Sequence, residues 1–453
     1  VDVSKLRVAG AELKEAFEGV NMIWGSIDLT PSLSMEALYM FEHSEIIPDP
    51  VGTYFSTNDI GTPGGSYVML GFGIPDQPVI NPDLFNEVCT NGNLAASDQD
   101  LPLFAIATGC ALGVGRSADR LPSDSGQYGA ALRWFVEDWN ATEFGFYFLN
   151  YHSRLPVLSG VAISSGSLQS AEYYSEYPED IQLYGISFNS NIGTWALSGE
   201  VSYRPNLPLQ VDDVELLFKA LSPLDNVGGG TPGFCQVAGC VNPVAVGGLG
   251  GFGQLGPAYS ADNPLGVNEY VKGWTEKDVS QLQTTFTYLS DPILGAEVGA
   301  FVIETAFTKV HGFNDKKDGG PNGFGLRYDG PGTFVSGNAP LAPTAHFGEV
   351  EPNSHFGSEF SWGYRLLASL TYDNLIGPWS VTPRVGWAHD VSGNTPGPGG
   401  NFIEDRTTLS LGVRGVLRNK YQLDLSYTNY SGADQQNLIR DRDFIAFSAS
   451  VSF

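Results

Sequence analysis

Strict two-residue alternation is the feature that most restricts what this chain can fold into. In the closing stretch "DRDFIAFSASVSF", Ile445, Phe447, Ala449, Val451 and Phe453 share one parity, while Ala446, Ser448, Ser450 and Ser452 share the other. A segment of this kind is a strand with one oily face and one small, polar face. The pattern recurs in pairs joined by short polar turns. "VNMIWGSIDL" and "LSMEALYMFE" flank Thr30-Pro31-Ser32, and "QYGAALRWFVE" and "EFGFYFLNYH" flank "DWNAT". "DIQLYGISFNSN" and "WALSGEVSYR" follow, then "VSQLQTTFTYL" and "AEVGAFVIETAF", "FSWGYRLLASLTY" and "WSVTPRVGWAH", and "TTLSLGVRGVL" and "YQLDLSYTNY". Each segment has roughly the 9–11 residues that a tilted strand needs to cross a bilayer.

Between the pairs run much longer connections rich in Gly, Pro, Asn and Asp, the largest at 43–126, 205–278 and 309–359. Short turns at one end and long loops at the other are the rhythm of an outer-membrane barrel, and a soluble sandwich has no reason to adopt it. The expected fold is all-β: a single transmembrane antiparallel β-barrel over 1–453, with roughly 13 strands visible and long extracellular loops. With every short turn placed in the periplasm, the first strand runs down from the cell surface. Barrels of this class have an even strand count and start in the periplasm, so the count expects an odd number of strands before Val1.

Composition is compatible with this reading. Hydrophobic residues make up 42% of the 453 residues, yet mean hydropathy is only -0.08, because alternating faces cancel in any window. No run of 18 apolar residues occurs, which excludes a helical membrane protein. A net charge of -27 argues against a basic face for nucleic acid or anionic lipid.

Parity also sorts the charges. Tyr128, Ala130, Leu132, Trp134 and Val136 fall on an outward face, as do Phe144, Phe146 and Phe148, and Leu409, Leu411 and Val413. Arg133, Glu137, Glu200, Arg365, Arg384, Arg414 and Asp424 fall on the opposite parity and are expected in the lumen. There they avoid the roughly 2–4 kcal/mol that a lipid-facing charge costs at mid-bilayer. They would either tune solute passage or pair to brace the interior. Glu304 reads as an exception to the parity near the loop end of its strand.

The connections hold further candidates. "DDVELLFKAL" (212–221) reads as a short helix, with Asp212 or Asp213 as its cap and Val214, Leu217, Phe218 and Leu221 as an apolar stripe. It would gate the barrel or simply cover its mouth. Leu103, Phe104, Ile106, Phe252 and Leu255 lie in apolar loop stretches and would wall a pocket for a greasy ligand, or merely pack loop on loop. Cys89 with Cys110, and Cys235 with Cys240, are expected as disulfides, the alternative being four unrelated thiols. Asn314, Asp315 and Asp318 resemble a cation loop without the twelfth-position Glu, so surface calcium competes there with a plain solvated loop. The six histidines lack ligand spacing, and no nucleophile elbow stands in a supporting context, so no resident metal and no enzyme is expected.

Several stretches resemble a known group of large Gram-negative outer-membrane proteins, the domain-of-unknown-function family 1302. They are "VDVSKLRVAGAELKEAFEGVNM", "GTYFST", "TGCALG", "DSGQYGAALRW", "LYGISFNSNIGTWALSGEVSYRPNLPLQVDDVELLFKAL", "SGNTPGPGGNFIED" and the closing "DRDFIAFSASVSF". The resemblance implies a complete barrel of about 16–18 strands and a terminal aromatic assembly signal (Phe453, with Val451 and Phe447). It also implies outer-membrane lipids and lipopolysaccharide as surroundings. The implied partners are a periplasmic lipoprotein resembling lipoprotein carriers and an inner-membrane transporter of the resistance–nodulation–division type. The implied activity is movement of hydrophobic compounds or lipids across the envelope. A diffusion porin and a structural or adhesive surface barrel are the alternatives. No functional residue carries over from the family.

Overall fold

A computed structural model describes residues 1–7, 13–58, 60–69, 113–164, 170–211, 216, 220, 265–313 and 356–452. Alternation becomes one antiparallel sheet of 13 strands. In chain order these are β1 (Met22–Thr30), β2 (Leu33–Met40), β5 (Gln127–Val136), β6 (Thr142–Tyr151), β9 (Ile181–Ile192), β10 (Trp195–Gln210), β12 (Trp274–Ser290) and β13 (Val298–Val310). β14 (Phe360–Ile376), β15 (Trp379–Ser392), β16 (Thr407–Leu417), β17 (Tyr421–Ser431) and β18 (Phe444–Val451) complete it. Each strand pairs with its successor in that series, which makes an up-and-down meander of the outer-membrane barrel type with β1 and β18 as its edges.

Local chemistry sets the tight turns. Between β16 and β17 the Lys420 amide donates to the Leu417 carbonyl, and Arg418 and Asn419 both have φ near +53°. This is the primed turn whose twist matches the flanking strands.

Five short strands in the long connections form a second sheet: β3 (Tyr67–Met69), β4 (Gly113–Arg116), β7 (Val157–Val161), β8 (Glu172–Glu176) and β11 (Tyr270–Val271), in the order β11-β7-β8-β4-β3. The β4–β8 pair is parallel. Buried apolar residues gather at this end of the molecule. One cluster joins Ala162, Leu216, Ala220, Leu265 and Val271, with Leu158 packed against it. The large apolar residues of the strands stay exposed instead, Ile23, Leu132, Ile186, Ile303, Leu411 and Ile445 among them. An apolar surface of this extent marks a face made for something other than water.

The sheet is curled, because loop ends of widely separated strands meet. The Tyr54 hydroxyl, beyond β2, donates to the Asp443 carbonyl before β18 at 2.9 Å, and Phe55 meets Phe444 edge-on at 5.5 Å. The Gln210 amide at the end of β10 donates to the Gly397 carbonyl beyond β15. Among the described residues no helix is long and apolar enough to cross a membrane.

Candidate functional site

Cross-strand register assigns the faces. Direct partners in an antiparallel ladder share a face, and Leu132↔Phe146↔Ile186 and Val385↔Leu411↔Tyr427 are such rows. They form the outer, apolar face. Aromatic rings border it at both ends. At the turn end Trp195 stacks on Tyr288 at 4.7 Å and Trp134 lies 5.9 Å from Phe144. At the loop end Phe148 lies 5.2 Å from Tyr184 and Phe307 lies 5.7 Å from Trp362. From Trp195 to Tyr203 along β10 is about 26 Å at 3.3 Å per residue, about 20 Å of height at a tilt of about 40°, on the scale of the roughly 25 Å apolar band of outer-membrane barrels.

The other face is the inner one, and it gathers the charges. Arg133 donates from Nε to Glu36 at 2.9 Å and from Nη1 to Glu143 at 3.3 Å. Arg384 donates in a fork to both Asp424 oxygens at 2.7 and 2.8 Å, and Arg414 adds a bond at 3.1 Å. Arg384 lies opposite Gly412 in the ladder and reaches Asp424 across it. A Cβ at Gly412 would stand 2.7 Å from the guanidinium carbon, so glycine is what lets this arm lie flat. Arg365 and Arg406 converge on Asp390 at 2.8 and 2.7 Å, and the Asp390 side chain is only 2% exposed. Arg204 bonds Gln281 at 2.7 Å and Tyr151 at 3.2 Å. Glu200 stands on the same face opposite Ser187 and Gln283.

Two sequence expectations need correction. Glu137 follows the last residue of β5 and lies exposed in the turn, because the strand stops at Val136. Glu304 obeys the parity: it pairs with Arg365 and Thr285 in mid-strand and accepts from the Thr285 hydroxyl at 3.4 Å. The inner face also carries apolar side chains, since Phe135, Leu149, Leu183, Val302 and Leu367 share its parity with the charges.

At the loop end a cleft of about 260 Å³ opens where three connections meet the end of β10. Ile46, Phe55, Leu155, Pro156, Leu158 and Pro398 give it apolar walls, and Asn58, Asp49 and Gln210 add polar groups. Gln210 is buried and fully engaged. Its Nε2 donates to the carbonyls of Leu158, Val211 and Gly273, and its Oε1 accepts from the Leu158 amide at 2.6 Å.

Below the small sheet, Glu176 Oε1 accepts from Tyr270 at 2.6 Å, from Trp274 Nε1 at 2.7 Å and from Ser159. Burial, reinforced by the bond to Glu176, pushes the Tyr270 hydroxyl well above its usual range and keeps it a donor. Burial and the Glu176 charge raise Tyr174 to about 12. His43 packs edge-on to Tyr177 at 5.5 Å, and both its ring nitrogens are buried with no hydrogen-bond partner. Burial first, then the nearby His152 and Arg154, holds His43 below the ordinary histidine value.

Of the expected gating helix, Leu216 and Ala220 are helical and buried against the small sheet. Asp213, Val214, Leu217, Phe218 and Leu221 lie outside the described residues, as do Leu103, Phe104, Ile106, Phe252 and Leu255. So do both cysteine pairs, Asn314, Asp315, Asp318 and Phe453. Among the described residues no group of three or more His, Cys, Asp or Glu stands together as a metal site. Sequence reasoning missed Glu36, Glu143, Arg204, Asp390 and Arg406. Glu36 was legible, because "LSMEALYM" puts it on the parity of Ser34, whereas Asp390 and Arg406 meet only through a loop closure that no periodicity encodes.

The family model described as "Protein of unknown function (DUF1302)" matches residues 1–453. No curated protein matches the chain. Among solved structures, a mutant of the ferric enterobactin receptor of Pseudomonas aeruginosa shares 11% identity over 89% of this chain and 40% of its own, with a TM-score of 0.31. A second mutant of that receptor, in complex with enterobactin, shares 12% identity over 90% and 40%, with a TM-score of 0.32. The chain thus spans 40% of the length of these receptors. The toluene transporter TodX of Pseudomonas putida shares 13% identity over 72% of this chain and 73% of its own, with a TM-score of 0.25.

Proposed function

The chain belongs over residues 1–453 to the DUF1302 family, and on that premise we propose that it is a non-enzymatic route across the outer membrane of a Gram-negative bacterium for hydrophobic small molecules or lipids. The observation that carries the reading is a two-faced sheet whose loop-end mouth holds an apolar-walled cleft. An outer face of apolar side chains between two aromatic belts supports residence in a bilayer. The cleft suits the oily part of a ligand, with Asn58 and Asp49 facing its polar end. Phe135, Leu149, Leu183, Val302 and Leu367 on the inner face then offer apolar footholds between the charges. This chain holds no energy source of its own in the reading. A periplasmic lipoprotein carrier and an inner-membrane transporter of the resistance–nodulation–division type would receive or supply the cargo.

A diffusion porin is the second reading, favoured by the Arg384–Asp424–Arg414 and Glu36–Arg133–Glu143 groups on the inner face. Two measurements separate the readings: planar-bilayer conductance, and mass spectrometry of small molecules co-purified with the protein. Hydrophobic transfer predicts no large steady current and a retained greasy ligand, whose amount falls in Phe55→Ala and Leu158→Ala. A large, steady, ion-selective current would overturn it in favour of the porin.

A further inference from the structure

A groove of about 320 Å³ lies on the outer face at the turn end, lined by Trp379, Val381, Val413, Gly415, Leu423 and Phe447 and edged by Asp424, whose carboxylate is tied to Arg384 and Arg414 on the inner face. It exists because position 415 has no side chain. Val381 and Leu423 are the ladder partners of Gly415, and a Cβ there would stand 3.2 Å from the Trp379 ring. On β16 the lining ends at Gly415, two residues or about 7 Å short of the strand's end, while Trp379 carries it to the rung of Leu417. Immediately beyond lies the exposed turn Arg418-Asn419-Lys420.

That turn is singular in its charge. The β5–β6 turn carries Glu137 and Asp138, the β12–β13 turn carries Asp291 and Glu297, and the other three short turns hold Pro31-Ser32, Gly193-Thr194 and Gly377-Pro378. In a chain of net charge -27, the two cations beside the groove are not a sample of a generally basic surface.

We propose that this groove and turn form a site for one anionic phospholipid of the inner leaflet, an acyl chain filling the groove and the headgroup phosphate meeting Arg418 and Lys420. The inference rests on the membrane placement proposed above and adds a ligand of defined chemistry to it. Apolar contact alone would hold any lipid equally. Selectivity for the anionic headgroup comes from a guanidinium and an ammonium held where the acyl chain emerges, at the headgroup level where basic side chains attract anionic lipid. Both cations are required on the same side of the membrane as the turn end, so the leaflet is specified together with the headgroup.

Native mass spectrometry of the full chain released from detergent, offered phosphatidylglycerol or phosphatidylcholine with identical acyl chains, tests this. The wild type retains phosphatidylglycerol in preference. Arg418→Asn combined with Lys420→Gln brings the preference to parity; asparagine suits the left-handed backbone at 418, and Lys420→Gln alone gives a partial loss. Gly415→Val fills the groove and lowers retention of both lipids. Heat-modifiable electrophoretic mobility checks that each variant is folded. Equal retention of the two lipids by the wild type, or a preference that survives removal of both cations, overturns the site and leaves the transport reading standing. A wild type that retains neither lipid and fails to insert into liposomes overturns the membrane reading along with the site.

Discussion

Asp424→Ala should destabilise the inner face measurably. Asp424 accepts both arms of Arg384 and one bond from Arg414, and its side chain is 14% exposed against 28% for Arg384 and 50% for Arg414. A hydrogen bond to a charged group contributes about 1.5–3 kcal/mol net. Partial exposure places the Arg384 fork toward the lower end of that range, and half-exposed Arg414 adds about 0.5 kcal/mol or less. Truncation therefore costs about 2 kcal/mol, most of it because Arg384 is left over Gly412 without a partner. Guanidinium unfolding in detergent micelles, followed by tryptophan fluorescence, reads this as a lowered midpoint with an unchanged slope. A cycle with Arg384→Met and Asp424→Leu adds a sharper control: the double variant should recover most of the loss, because replacing both partners removes the stranded charge. A single variant within about 0.5 kcal/mol of wild type would mean the ion pair is solvated and the inner face is not organised as described.

Three further outcomes follow from the loop end and the inner face. Glu176→Ala removes the shared acceptor of Tyr270, Trp274 and Ser159, so limited proteolysis should cut the connections of the small sheet faster while the 13-strand sheet keeps its heat-modifiable mobility. His43 is depressed in the fold, so its contribution is present above the unfolded value of about 6.5 and is lost as pH falls below it. Protection factors around Tyr177, taken relative to intrinsic exchange at each pH, should therefore fall as pH drops below about 6.5, and His43→Phe should flatten that dependence against the background of Glu45, Asp124, His152 and Arg154. Gly412→Ala should cost less than Asp424→Ala, because the new methyl meets only the flexible end of Arg384, which can shift aside, and the two changes should add less than fully.

Much of the architecture was legible because a strand with one oily face writes its period into the sequence. The six hairpins, their turns and the outward rows such as Leu132–Phe146 follow from that period alone. Family resemblance and family match agree over the whole chain. What stayed hidden depends on register and closure. Parity places Arg384 on the inner face, but not the fork to Asp424 two strands away, which needs the gap at Gly412. Glu304 was misassigned because "AFVIETAF" alternates poorly, Ile303 and Thr305 flanking the charge; pairing with Arg365 settles its face. The small sheet left no trace, since strands of two to five residues hold too little period to read and the β4–β8 pairing joins distant segments. Nothing in the sequence singles out Arg418 and Lys420, because the groove beside them depends on the gap at Gly415.

The central claim is that one face of this sheet meets lipid and the other meets water, and spin-label scanning of β16 tests it most directly. With Cys89, Cys110, Cys235 and Cys240 replaced by serine, single cysteines at 408 to 413 are labelled after reconstitution into liposomes. Leu409, Leu411 and Val413 should be accessible to oxygen dissolved in the bilayer, and Thr408, Ser410 and Gly412 to a water-soluble nickel chelate, with a period of two. Equal access of the nickel chelate to both parities would contradict the account.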